Sequence, residues 1–145
     1  NTIPDVIDID VDIRTVPGTT KADVEQHLRD AIGDLYDHVE VSELQSSDPT
    51  ACAYGEGNPL WDAVTKHSQI AYPGAKLIPG LITGGTDARF YRERGSVAYG
   101  AGLYSGKMDF ATFGARFHGN DERIDLESLG LAAEYFYGIT KDLLT

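Results

Sequence analysis

The residues of this sequence best suited to chemistry lie in RFHGNDERID, residues 116–125. His118 stands there between two arginines, and a Gly-Asn pair and two acids follow it. Imidazole is a common metal ligand, and a neighbouring turn would leave the ring accessible. Glu122 is placed to orient the ring by a hydrogen bond. A loop histidine near acids is also an ordinary surface residue, so a metal site here requires further ligands.

The sequence offers no local partner for His118. His27, His38 and His67 are not spaced with it as in a metal-binding motif, and the chain contains no HxD, HExxH, adjacent Glu-Glu pair or CxxC. No serine or cysteine lies in a nucleophile motif such as GxSxG. From the residues alone, His118 is therefore either a surface residue or a single metal ligand.

Two further stretches suit an anionic ligand. Arg14 is the one cation at the end of an acidic segment, and a guanidinium can grip a carboxylate with two hydrogen bonds. In ITGGTDARF, residues 82–90, two glycines would let a ligand approach the backbone, and N–H groups at a helix start attract anions. A surface arginine and an ordinary turn explain the same residues, so each pattern is weak by itself.

The first third of the chain predicts a strand, a helix and a second strand. VIDIDVDIRTV, residues 6–16, alternates apolar and polar side chains as a half-buried strand does. Thr19 or Thr20 then caps a helix, with Asp23 near its positive end. VEVSEL, residues 39–44, is the second strand. This unit resembles half of a ferredoxin-like layer and requires more sheet from elsewhere.

The remainder predicts helices separated by short strands and loops. QSSDPTACAYGEG, residues 45–57, is the best linker, and a helix follows it from Asn58 and Pro59. SVAYGAGL, residues 96–103, predicts a strand, and residues 104–117 predict loop with some strand. Two more helices are expected: one capped by Thr86 or Asp87 and ended by Gly95, and one capped by Asp125 with a buried stripe of Leu129, Ala132, Ala133, Phe136, Ile139 and Leu143.

Composition excludes several function classes. The 145 residues carry 12 Lys+Arg against 23 Asp+Glu, a formal charge of −11, which argues against nucleic acids and anionic membranes as partners. No apolar run approaches the ~18 residues of a membrane span. Cys52 is the only cysteine, which excludes an internal disulfide and favours a reducing, cytoplasmic location. Hydrophobic residues make up 41%, enough to build a core.

Taken in order, four stretches resemble one family. NTIPD, VDIRTVPG, GGTDARF and FHGNDERIDLESL are similar to the co-catalytic zinc hydrolases that include aminoacylase, carboxypeptidase G, acetylornithine deacetylase and succinyl-diaminopimelate desuccinylase. The resemblance covers nearly the whole chain. It implies that residues 1–48 are the C-terminal half of a lid or dimerisation domain and that residues 49–145 are the C-terminal part of a catalytic domain. The expected fold is α+β: the strand–helix–strand end of a ferredoxin-like lid, then part of an α/β zinc-peptidase domain.

The resemblance also assigns roles to residues. His118 matches the final metal ligand of the family, whereas the HxD motif, the bridging Asp and the Glu-Glu pair belong to a part of the family pattern that this chain lacks. Two divalent ions, expected to be zinc, would bind the full-length enzyme, and the chain alone would hold none and supply no catalytic residue. The implied substrate-binding residues are Asn1, Arg14, Gly85, Thr86 and Arg89.

The resulting prediction is the C-terminal portion of a dinuclear metal hydrolase that cleaves the amide bond of an N-acyl amino acid or small peptide. The chain alone is expected to be inactive, and it is expected to form a homodimer or a larger self-assembly. One alternative is a non-catalytic acidic α+β interaction module that assembles through an open strand edge. Another is an unrelated enzyme that uses His118 with Asp121 or Glu122 as acid–base groups.

Overall fold

A computed structural model describes residues 2–145, and Asn1 lies outside the described residues. All of the regular elements in that range are helical. None of these helices combines the length and apolar character needed to cross a bilayer. The elements are α1 (Lys21–Ile32), a 3-10 segment (Gly33–His38), α2 (Pro59–Ala71), α3 (Ala88–Arg92), α4 (Phe110–Ala115) and α5 (Leu126–Leu144).

The predicted α+β fold is wrong for the described residues, because residues 2–145 contain no strand. The ferredoxin-like strand–helix–strand unit and the strand at 96–103 are therefore not formed, and part of the 104–117 loop is α4 instead. The apolar and acidic side chains of residues 6–14 are all exposed, so that segment has no buried face. Alternation expresses a local preference, but a strand forms only when a second strand accepts its hydrogen bonds.

The predicted helix starts are confirmed. Thr20 and Asp23 form a reciprocal capping box, in which Thr20 Oγ1 accepts from Asp23 N–H at 3.2 Å. The Asn58 side chain accepts from the backbone of Leu60 and Trp61, ahead of Pro59 at the first helical position. Asp125 Oδ1 accepts from Ser128 N–H at 2.8 Å at the start of α5. Caps are detectable in the sequence because the two partners lie within three residues of each other.

The core is small and lies between α2 and α5. Four buried apolar residues form it: Ala63 and Val64 from α2, Tyr135 and Ile139 from α5. Residues 96–103, which precede α4, cover one side of this core. The sequence predicts a strand there, and although no strand forms, side chains of this segment still pack against the core. The partly buried side chains around the core are Leu60, Leu77, Tyr99, Ala101 and Leu103.

The two core helices are in close contact at a glycine. A Cβ built on Gly138 would lie 2.9 Å from Nε2 of His67 and closer still to two other ring atoms. The ring is held in this position, because Nε2 lies 2.9 Å from Oδ2 of Asp142 and Lys66 Nζ donates to the same oxygen at 2.6 Å. The hydrogen bonds from Lys66 and His67 lower the pKa of Asp142. Gly138 therefore creates the space in which α2 can meet α5.

The buried face of α5 differs from the predicted stripe. Its buried residues are Ser128, Tyr135 and Ile139, of which the stripe included only the last. Leu129 and Phe136 are 51% and 52% exposed. A pattern of large apolar residues does not predict this face, because it carries hydroxyl groups. These hydroxyl groups are buried together with hydrogen-bond partners. The Tyr135 hydroxyl, for example, lies 3.5 Å from Ser68 Oγ of α2.

The chain exposes far more surface than a compact protein of its mass. Its accessible surface is 11892 Å² at 15.7 kDa. A folded monomer of this mass exposes about 7,300 Å², roughly 4,600 Å² less. The excess includes many large apolar side chains, among them Ile3, Ile7, Ile9, Ile78, Leu81 and Ile82. Surface of this kind marks contact with another polypeptide or aggregation.

We expect Gly138→Ala to lower the free energy of unfolding by about 1 kcal/mol, measured by urea denaturation followed by circular dichroism. The added methyl group displaces the His67 ring, which costs roughly 1–3 kcal/mol for overpacking, against a gain of about 1 kcal/mol in helix propensity.

Gly130 is the matched control, since it lies in the same helix with open space around it. Gly130→Ala should raise the free energy of unfolding by about 1 kcal/mol. In a His67→Ala background, Gly138→Ala should no longer destabilise the chain. Equal effects of Gly130→Ala and Gly138→Ala would show that the His67–Gly138 contact does not limit the packing.

Candidate functional site

His118 lies in the connection between α4 and α5, in a strained backbone conformation. Its φ is 56°, and it is the only non-glycine residue with positive φ in residues 2–145. α4 ends at Ala115, and in the turn that follows Phe117 N–H donates to Gly114 O at 3.4 Å. The side chain is exposed. Left-handed conformations cost most residues about 1 kcal/mol or more and are frequent at functional sites.

The ligand set around His118 is incomplete. No group of three His, Cys, Asp or Glu side chains in residues 2–145 could hold a metal ion. Glu122 forms no hydrogen bond with His118 among the described residues, so its predicted orienting role has no support. A catalytic zinc takes about three protein ligands. The described residues therefore do not fit a complete metal centre, and at this site they offer a single accessible imidazole, that of His118.

The connection is anchored where α5 begins. Asp125 accepts from Ser128 N–H and from Ser128 Oγ, each at 2.8 Å, and these bonds lower the pKa of Asp125. Ser128 is fully buried, and its Oγ accepts from Ser105 N–H at 2.9 Å. Asp125 also faces Arg116, with Oδ2 3.4 Å from Nη1. The cap of α5 thus ties residues on both sides of His118 to the core.

Arg14 contacts the glycine turn of residues 82–90, which is the other stretch that the sequence suggests for an anionic ligand. Its Nη1 donates to the carbonyl oxygen of Thr83 at 3.1 Å, directly before Gly84 and Gly85. Its Nε donates to Asp12 Oδ2 at 2.9 Å, and Nη2 contacts the same oxygen. The Arg14 side chain is 55% exposed. The structure therefore brings together two of the predicted substrate-binding stretches, which are about seventy residues apart in sequence.

The other predicted substrate residues are placed less specifically. Gly85 and Thr86 are exposed, and Thr86 Oγ1 accepts from Ala88 N–H at 3.3 Å. Arg89 is half-buried, with its guanidinium 4.6 Å from the centre of the Phe90 ring. α3 has only five residues, so its N-terminus is too short to serve as an anion site. Asn1 lies outside the described residues.

The sequence does not predict a groove that residues flanking His118 in the chain help to form. It has a volume of about 270 Å³, and its lining includes residues on both sides of the histidine. It depends on α4, which begins where Asp109 Oδ1 accepts from Thr112 N–H at 2.8 Å. That Asp-x-x-Thr cap was the sequence signal that could have revealed the helix. The groove is lined by Tyr104, Met108, Phe113, Arg116, Phe117, Glu122, Arg123 and Ile124.

Comparison with known proteins supports the family suggested by the ordered stretches. A search of curated proteins and a search of solved structures each found no match. The family model described as peptidase family M20/M25/M40 matches residues 3–142, which is nearly the whole chain and includes both Arg14 and His118. The chain therefore belongs to the peptidase family M20/M25/M40.

Proposed function

We propose that this chain forms part of a metal-dependent hydrolase that cleaves the amide bond of an N-acyl amino acid or a small peptide. Membership of the peptidase family supports hydrolysis, and peptidases of this family usually use metal ions. The observation that carries the proposal is His118: an exposed imidazole at positive φ, within the stretch that resembles the final ligand motif.

In this proposal His118 supplies one metal ligand and the other ligands lie outside the chain. A single imidazole cannot hold a catalytic zinc, so the chain alone is inactive. The metal ions, when bound, would polarise the amide carbonyl and activate water. The positive φ of His118 has a physical purpose in this arrangement, because it turns the backbone at an exposed ring within a connection that the cap of α5 anchors at one end.

Arg14 would bind the carboxylate of the substrate. The guanidinium already holds a carboxylate, that of Asp12, through Nε and Nη2. That ion pair is exposed and is worth about 1 kcal/mol or less, so a substrate carboxylate can replace it. The bond from Nη1 to Thr83 O would keep the guanidinium beside the turn of Gly85 and Thr86, where a ligand can approach the backbone closely.

A second candidate is a non-catalytic interaction module. The observation that favours it is the large exposed apolar surface, which binding to another polypeptide would cover. The same surface is expected in the hydrolase proposal, where the chain packs against the remainder of the enzyme and a second copy. Metal content distinguishes the two candidates, because only the hydrolase requires an ion at His118.

His118→Ala should remove metal and activity from the chain joined to a polypeptide that carries the HxD and Glu-Glu motifs. We expect two metal equivalents before the substitution and at most one after it, by elemental analysis. Hydrolysis of an N-acetyl amino acid should fall more than about 100-fold, since even outer-shell partners of metal ligands are worth roughly 10–100-fold.

His118→Gly separates the metal role from a folding role. It should lose the same metal, while the free energy of unfolding stays within about 1 kcal/mol, because glycine adopts φ 56° without strain. His27→Ala, which removes an exposed histidine of α1, should retain both metal equivalents. Unchanged metal content in His118→Ala would contradict the hydrolase proposal and favour the interaction module.

Arg14→Gln should raise KM for an N-acyl amino acid about 10-fold or more in the same joined enzyme, with a smaller effect on kcat. Hydrogen bonds to a charged group are worth about 1.5–3 kcal/mol, and Arg14 would contribute them to substrate binding. An amidated substrate that lacks the carboxylate should be insensitive to the change. Arg29→Gln, which removes an exposed arginine of α1, is the control; equal losses for both substrates would exclude carboxylate binding by Arg14.

Self-association should follow from the exposed surface. At micromolar concentration we expect light scattering to give a mass above 15.7 kDa and the dye ANS to fluoresce on binding. Ile7→Lys together with Ile9→Lys should reduce both signals, because each replaces a mostly exposed isoleucine with a charge. A monomer without ANS binding in the unchanged chain would be inconsistent with an exposed apolar surface of this size.

A further inference from the structure

The guanidinium of Arg14 is already engaged on two sides, and the two sides differ. Nη1 donates to the backbone oxygen of Thr83 at 3.1 Å. Nε and Nη2 form the remaining edge, and both contact the same oxygen, Oδ2 of Asp12, with Nε at 2.9 Å. Since Thr83 holds Nη1, the Nε–Nη2 edge is the one that can bind a carboxylate through two parallel hydrogen bonds. Asp12 occupies that edge.

Asp12 holds this edge in a geometry that another carboxylate can improve. A guanidinium edge and a carboxylate match best when each of two donors has its own acceptor oxygen, whereas Asp12 offers one oxygen to both donors. Both side chains are open to solvent, with 55% of Arg14 and 69% of Asp12 exposed. An incoming carboxylate can therefore reach the edge and offer both of its oxygens.

The chain keeps Asp12 close to Arg14 even when the ion pair is broken. Only Ile13 separates the two residues, so the released carboxylate stays within a few ångströms of the guanidinium. A group attached so closely returns to its partner without diffusing from solution, which gives it a high effective concentration. Any dissolved anion that uses this edge must therefore compete with Asp12.

We propose that Asp12 masks Arg14 and competes with the carboxylate of the substrate for the Nε–Nη2 edge. This inference rests on the proposed function, in which Arg14 binds that carboxylate. A ligand can use Arg14 only in the fraction of molecules in which Asp12 has released it, and the apparent affinity falls by that fraction. Exposed ion pairs hold their partners weakly, so the reduction is roughly 2- to 5-fold.

A supporting role for Asp12 predicts the opposite sign. If the ion pair served to hold Arg14 in place for the substrate, removing the Asp12 carboxylate would let the guanidinium move and would weaken substrate binding. If Asp12 is a competitor, its removal strengthens substrate binding. The Thr83 contact favours the second case, because it holds the guanidinium through Nη1 independently of Asp12.

Chemical modification of the chain tests the mask without substrate or metal. Phenylglyoxal, which condenses with guanidinium groups, should modify Arg14 roughly 2- to 5-fold faster in Asp12→Asn, followed by mass spectrometry of the peptide that contains it. Asp10→Asn is the matched control, because it removes the same charge from the same exposed segment and no ion pair within residues 2–145 involves Asp10. An unchanged rate in Asp12→Asn, or an equal increase in Asp10→Asn, would overturn the mask.

Steady-state kinetics of the joined enzyme test the competition. Asp12→Asn should lower KM for an N-acetyl amino acid roughly 2- to 5-fold and leave kcat unchanged, because the competition ends once substrate is bound. Asp12→Glu, which keeps the acid, should return KM to within about twofold of the unchanged enzyme. The amidated substrate, which does not need Arg14, should respond to neither substitution. A higher KM for the acid in Asp12→Asn would show that Asp12 supports Arg14 and would overturn the competition.

Arg14→Gln distinguishes failure of this inference from failure of the proposed function. If Arg14→Gln raises KM and Asp12→Asn leaves it unchanged, Arg14 binds the substrate and the competition alone is overturned. If Arg14→Gln leaves KM unchanged, or if the joined enzyme neither holds metal nor hydrolyses amides, the proposed function fails, and the modification rate of Arg14 still decides whether Asp12 masks it. In the Arg14→Gln background, Asp12→Asn should no longer change KM.

Discussion

The close approach of α2 and α5 is the contact on which the rest of the structure depends. It requires a glycine at position 138, since the His67 ring occupies the space that any side chain there would need. Asp142, one turn along α5 from Gly138, holds that ring through its contact with Nε2 and also pairs with Lys66. Four buried apolar residues are a small core for the described range 2–145. One well-fitted helix pair therefore provides most of the fixed geometry in this chain.

The candidate site depends on that helix pair through the first turn of α5. Ser128 is buried against the core and accepts a hydrogen bond from Ser105, and Asp125 caps the helix and faces Arg116. These bonds position the two ends of the α4–α5 connection, in which His118 adopts positive φ. A cap that usually contributes about 1 kcal/mol to a helix thus also positions the connection that carries the candidate metal ligand His118.

Charge and exposure agree with the role of one part of a peptidase. The chain belongs to a peptidase family over residues 3–142, and it presents the exposed imidazole of His118, the exposed Arg14 beside a glycine turn and a large apolar surface. In the proposed function each of these features acts together with another molecule: further metal ligands, an anionic substrate or a packing partner. The same reasoning explains why α5 is apolar on more than one face, with Leu129 and Phe136 exposed and Ile139 buried.

The sequence by itself determined the features that depend on residues within one helical turn of each other. The starts of α1, α2 and α5 were predictable because Thr20, Asn58 and Asp125 bond to backbone groups two or three positions ahead. The ordered stretches also indicated the peptidase family, which the family model matches over residues 3–142.

Only the tertiary structure decided which segments meet. The alternation at residues 6–16 could not show whether a second strand lies beside this segment, and residues 2–145 contain none. Strand pairing depends on segments that are distant in the sequence. The buried face of α5 includes Ser128 and Tyr135, whose burial depends on partners from other segments. The contact of Arg14 with Thr83 and the groove around Arg116 likewise join distant or differently folded residues. Local hydrogen bonds can be read from neighbouring residues, whereas packing, pairing and cavities arise only when separate segments come together in space.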